Sequence, residues 1–135
     1  MVDDQGQTLG GDDPGADDSL YSLYRRGMWL LEAGEFEQAT VPLRKAARLD
    51  PDKTSIREAL GRAYFRSRHY AEAAEEFEAV VERYPVNDFA HFCLGRALTK
   101  TGRKHRARRH LAIAANLRPE RRDYRIYRER LLARG

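Results

Sequence analysis

From Ser19 onward the apolar residues of the chain recur at spacings of three and four. Leu20, Leu23, Gly27, Leu30 and Leu31 share one helical face, with Ser22, Arg25 and Arg26 among the residues between them. The same spacing returns at Tyr124, Tyr127, Leu131 and Leu132, and Tyr64, Phe65, Tyr70 and Phe77 also suit helical faces. Breaks fall at Pro51, Pro85 and Pro119, because proline lacks an N–H and pushes its predecessor out of helical geometry. Short turns at 32–36, 66–70 and 100–104 divide each stretch again. The pattern predicts seven helices, paired as 18–32 with 35–48, 52–66 with 69–82 and 87–100 with 103–116, followed by 120–133 alone.

The breaks keep one period. Pro51, Pro85 and Pro119 stand 34 residues apart, as do Gly27, Gly61 and Gly95, then Ala39, Ala73 and Ala107, then Leu43, Phe77 and Leu111. Four registers agreeing over three copies describe a helix-turn-helix unit repeated three times, each too small to bury its apolar face alone. In the second copy Leu60, Gly61 and Tyr64 keep an L-G-x2-Y spacing, Ala73 and Phe77 an A-x3-F spacing, and Pro85 closes the unit. On these residues the chain resembles the tetratricopeptide repeat family over about residues 20 to 121. It departs where Arg57 replaces a tryptophan, Leu98 a tyrosine and Lys104 an aromatic. The resemblance implies an all-α fold, an α-solenoid of three stacked repeats over 18–119. The helix at 120–135 resembles the capping helix that covers the last apolar face of such arrays.

Local chemistry fits this drawing. Gly61, Ala59, Ala63, Ala73 and Ala74 keep side chains small where paired helices approach, and the aromatics fill the space between. Gly34 and Gly102 suit helix C-termini in left-handed backbone, and Asp52 and Asn87 are expected N-caps. Pro42 falls inside the second predicted helix, where a missing hydrogen bond predicts a bend.

Charge changes the picture at the two ends. Residues 1–19 hold six aspartates and no base, residues 20–99 are balanced at twelve each, and residues 100–135 carry thirteen basic against three acidic groups. The glycine-rich acidic segment buries too little apolar surface to offset ordering, so residues 1–17 are expected to be disordered. No apolar run is long enough to cross a bilayer, and the first residues lack the basic start and apolar centre of a signal peptide. Cytoplasmic residence is the expectation. One cysteine, Cys93, cannot form an internal disulfide and reads as a small packed or groove residue.

Catalytic chemistry finds no foothold in the pattern. Phosphate loop, HExxH and CxxC motifs are missing, and His69, His91, His105 and His110 show no metal-ligand spacing. The chain is therefore expected to be no enzyme and to need no cofactor or metal. The resemblance implies a scaffold that binds a protein or peptide, acidic ones included, on the concave surface lined by the first helix of each pair. There the expected contacts are Tyr21, Tyr24 and Met28, then Glu58, Arg62, Phe65 and Arg66, then Phe89, Phe92, Arg96 and Lys100. Aromatic anchors beside arginines are what peptide recognition favours. The terminal-carboxylate clamp of some family members is not supported, since Tyr24, Met28, Ala59, Phe89 and Cys93 occupy its positions. The alternative is nucleic-acid or ribosome binding through Arg103, Lys104, Arg106, Arg108 and Arg109, which would neutralise phosphates.

Overall fold

A computed structural model describes the backbone of residues 2–3, 7–11 and 18–133, and the side chains of 18–133. Near the start, β1 (Val2–Asp3) and β2 (Gln7–Gly11) pair antiparallel, with Val2 opposite Thr8 and Asp3 opposite Gln7. A lone two-stranded ribbon is marginal in water. The rest of the expected disordered segment, like residues 134 and 135, lies outside the described residues. Seven helices follow: α1 (Leu20–Glu32), α2 (Phe36–Leu49), α3 (Thr54–Arg66), α4 (Tyr70–Arg83), α5 (Asp88–Lys100), α6 (Lys104–Leu117) and α7 (Arg122–Ala133). Each lies within two residues of its predicted start and end. Two compact units divide the chain between Ala63 and Tyr64.

One turn recurs after α1, α3 and α5. The N–H of Glu35, His69 and Arg103 reaches back to the carbonyl of Leu30, Tyr64 and Leu98, at 2.9, 2.8 and 2.9 Å. This is the Schellman closure, which needs a left-handed residue just before the donor. Gly34 and Gly102 hold φ +81° there as the sequence predicts. The middle copy has Arg68 at φ 69°, the one non-glycine residue with positive φ among those described.

A second device recurs after each closing proline. Arg57 Nε donates to the carbonyl of Pro51 at 2.9 Å, His91 Nε2 to Pro85 at 2.7 Å, and Arg125 Nη1 to Pro119 at 2.6 Å. The three donors are themselves 34 residues apart. Arg57, which departs from the family pattern, thus ties the next helix to the preceding turn. Asn87 caps α5 by accepting from the N–H of Ala90 at 3.0 Å. Asp52 differs from expectation and sits in the turn ahead of Thr54, because two more residues are spent before α3 begins. Helix α2 runs through Pro42, which is buried.

Small residues set the spacing within pairs. In the first unit, a Cβ on Gly27 would lie 2.4 Å from Leu43 Cγ. In the second unit, a Cβ on Gly95 would meet Leu111 Cγ at 2.6 Å and the Ala107 carbonyl at 3.3 Å. The second unit's core runs from Phe77 and Val80 through Leu94 and Leu111 to Tyr124 and Leu131. Helix α7 therefore covers an apolar face, as a capping helix should. Tyr124 is fully buried and its hydroxyl donates to Asp88 at 2.6 Å. Burial, then the Asp88 carboxylate, pushes its phenol pKa up. Leu132, by contrast, is exposed.

Candidate functional site

In the first unit the expected contact residues lie on α1 and α3. Tyr21 is 72% exposed with the Arg25 guanidinium 5.6 Å above its ring, Tyr24 and Met28 are half-buried, Glu58 is half-buried and Arg62 is exposed. In the second unit a single cation gathers the expected residues. Arg96 Cζ stands 4.8 Å from the ring centre of Phe65 and 5.8 Å from that of Phe92. Phe65 makes an edge contact with Tyr70 at 5.1 Å, and Lys100 Nζ lies 5.7 Å over Tyr70. Phe89 is 37% exposed and Arg66 is exposed. Phe92 is a correction: it is buried, 4.6 Å from Tyr124 and 5.3 Å from Tyr127 between ring centres. The last helix claims its ring for the core, so it offers no surface to a partner.

Two residues of this cluster were not among the expected groove contacts. Tyr127 lies 4.8 Å below Arg96, and Arg130 approaches the same ring at 5.3 Å. The signal was there: Arg62, Arg96 and Arg130 continue the 34-residue register into α7. Cation–ring contacts of this kind contribute about 0.5–2 kcal/mol depending on desolvation.

The alternative basic patch on α6 does not stay together. Arg106 is half-buried and bonds Glu78 on α4 at 2.6 Å, in a cleft that also holds Arg103, Glu75 and Glu82. Arg108 is half-buried, and its buried Nε finds no acceptor among the described residues. Arg103, Lys104 and Arg109 are exposed.

A family model described as "Tetratricopeptide repeat" matches residues 30–91, from the end of α1 into α5. Over that stretch, a little under half of its length, the chain matches the tetratricopeptide repeat family. MamA from Desulfovibrio magneticus RS-1 (residues 41 to the end) superposes with a TM-score of 0.83 at 23% identity, covering 88% of this chain and 67% of that one. The first tetratricopeptide domain of Spaghetti (RPAP3), solved with the HSP90 peptide SRMEEVD, gives 0.79 at 18% identity over 84% of this chain and 90% of that one. These likenesses concern the fold. Human Superkiller complex protein 3 is 33% identical over 72 residues, which is 53% of this chain and only 5% of that protein.

Within this repeat fold the histidines are not scattered. His91 on α5 and His110 on α6 are buried and stacked, with rings 5.2 Å apart and 24° from parallel. Their Nδ1 atoms are 3.0 Å apart. The Pro85 carbonyl only accepts, so His91 carries its proton on Nε2, and its Nδ1 accepts from the protonated Nδ1 of neutral His110. Burial first, and then His91, push the His110 pKa down to about 4, with Arg109 and Arg106 adding to the effect and Glu78 opposing it. The spacing of 19 residues has no helical meaning, so only the pairing of α5 with α6 reveals it. Cys93 is partly buried against the second unit's core. Among the described residues no group of three or more His, Cys, Asp or Glu is placed to hold a metal. No described helix is long and apolar enough to cross a membrane.

Proposed function

We propose that the chain is a non-enzymatic scaffold that holds a peptide or a partner protein on the first helices of its repeat pairs. The single observation that carries this reading is the Arg96 cluster of the second unit. A half-buried guanidinium is held against Phe65 and Tyr127, with exposed Lys100 and Phe89 on the same helix. Rigid aromatics around an arginine are the composition of binding hot spots. Tyr21, Tyr24, Met28, Glu58 and Arg62 supply the corresponding contacts in the first unit, and Arg66 adds a cation at the end of α3. The Spaghetti domain, solved with an HSP90 peptide bound, supports the same use of the fold here.

The test is site-specific photo-cross-linking in native lysate. A photoreactive residue at Tyr24, Arg62 or Phe89 is expected to give discrete protein adducts that survive nuclease. The same residue at Lys45, Glu72 or Arg109, on second helices, is expected to give none. Adducts confined to the second helices, or lost with nuclease, would refute the reading.

A further inference from the structure

Two clefts of the second unit differ in electrical character. One, between α4, α5 and α6, is lined by Glu75, Glu78 and Glu82 as well as Arg103 and Arg106, so its charges compensate one another. The other has a volume of about 250 Å³ and is bounded by Arg96 and Lys100 from α5 and by Tyr127 and Arg130 from α7, with Leu111 and Leu131 at its walls. No carboxylate lines it. Among the described residues, none of Arg96, Lys100 and Arg130 forms an ion pair.

Helical spacing makes this convergence. Arg96 and Lys100 are four apart on one helix, and Tyr127 and Arg130 three apart on another, so each pair shares a face. Both guanidinium groups lie against the one Tyr127 ring, at 4.8 and 5.3 Å from its centre. They are therefore no farther apart than those two distances laid end to end. Three cations lining one small cleft without a carboxylate among them are a standing attraction for an anion.

We propose that this cleft is the acid-recognising subsite of the scaffold, and that it takes one or two carboxylate side chains from an acidic segment of a partner protein. The inference rests on the scaffold reading above and names where the partner's charge goes. Carboxylate fits better than a nucleic-acid backbone for two reasons. A guanidinium lying against aromatic rings keeps its in-plane N–H fork for bidentate pairing with a planar carboxylate. The cations also close around a small concavity, whereas phosphate tracking needs a basic stripe that continues beyond it. The clamp positions known in the family are elsewhere on these helices and are occupied by Phe89 and Cys93.

Fluorescence anisotropy with the full chain tests this directly. The probe is a labelled twelve-residue glutamate-rich peptide, compared with its glutamine counterpart and with a single-stranded twelve-nucleotide DNA. Binding of the glutamate peptide is expected to fall about three- to tenfold in Lys100→Gln and in Arg130→Gln, and further in the double variant. Both side chains are exposed, so the fold is expected to persist and circular dichroism checks it. Arg103→Gln with Arg109→Gln, on α6, is expected to leave affinity within about twofold, and the glutamine peptide is expected not to bind. Equal loss in the α6 variant would reduce the effect to the general positive field and overturn the proposal. Binding of the oligonucleotide through the same three cations, or unchanged affinity in the double variant, would also overturn it. If first-helix positions cross-link a partner while the cleft variants change nothing, the scaffold reading stands and this subsite falls alone.

Discussion

Acid should loosen this protein through His110. Neutral His110 is what the folded state accommodates, since its ring is buried and stacked on His91, with Arg106 and Arg109 nearby. Its pKa is about 4 in the fold against 6.5 ordinarily. A base whose folded pKa is depressed binds fewer protons folded than unfolded between those values. Its contribution is thus intact above pH 6.5, is lost as pH falls from 6.5 to 4, and changes no further below 4. At about 1.36 kcal/mol per pH unit the full loss is about 3 kcal/mol, and at pH 5 it is about 2 kcal/mol. Urea titrations at pH 7, 6, 5 and 4 on the wild type and on His110→Gln would read it, because the difference between the two slopes removes the contribution of the carboxylates. The His110 Cε1–H resonance should have its midpoint well below 6. A midpoint near 6.5, or the same acid slope in both proteins, would refute the reasoning.

Three further outcomes follow from the repeat geometry. Gly95→Ala should cost about 1–2 kcal/mol in chemical denaturation, since overpacking against Leu111 Cγ and the Ala107 carbonyl outweighs the helix propensity gained; Leu111→Ala in the same chain should recover part of that cost. Arg68→Gly should raise stability by about 0.5–1 kcal/mol, as the left-handed backbone at φ 69° disfavours any side chain, and an unchanged melting temperature would count against it. Tyr124→Phe should cost about 0.5–1.5 kcal/mol by removing the hydrogen bond to Asp88, which keeps the Arg118 guanidinium at 3.9 Å; an unchanged stability would show that water replaces the hydroxyl.

Much of the architecture was legible because the chain repeats itself. Helix number, the pairing of α1 with α2 and of α5 with α6, the glycines at 34 and 102, and the cap at Asn87 all follow from short-range rules: a proline that cannot continue a helix, a glycine that accepts positive φ, an amide that satisfies a free N–H. The register also carried Arg62, Arg96 and Arg130 as one series, so part of the charged surface was written in the period itself. Arg57, His91 and Arg125 keep the period as well, each reaching the prolyl carbonyl six residues before it. Other features had no local signature. Phe92 reads as a surface anchor in sequence, and became core when α7 placed Tyr124 and Tyr127 against it. Arg106 reads as part of a basic stripe until α4 presents Glu78. Periodicity specifies which face a residue occupies; which neighbour covers that face depends on side chains from other helices, and only tertiary packing decides it.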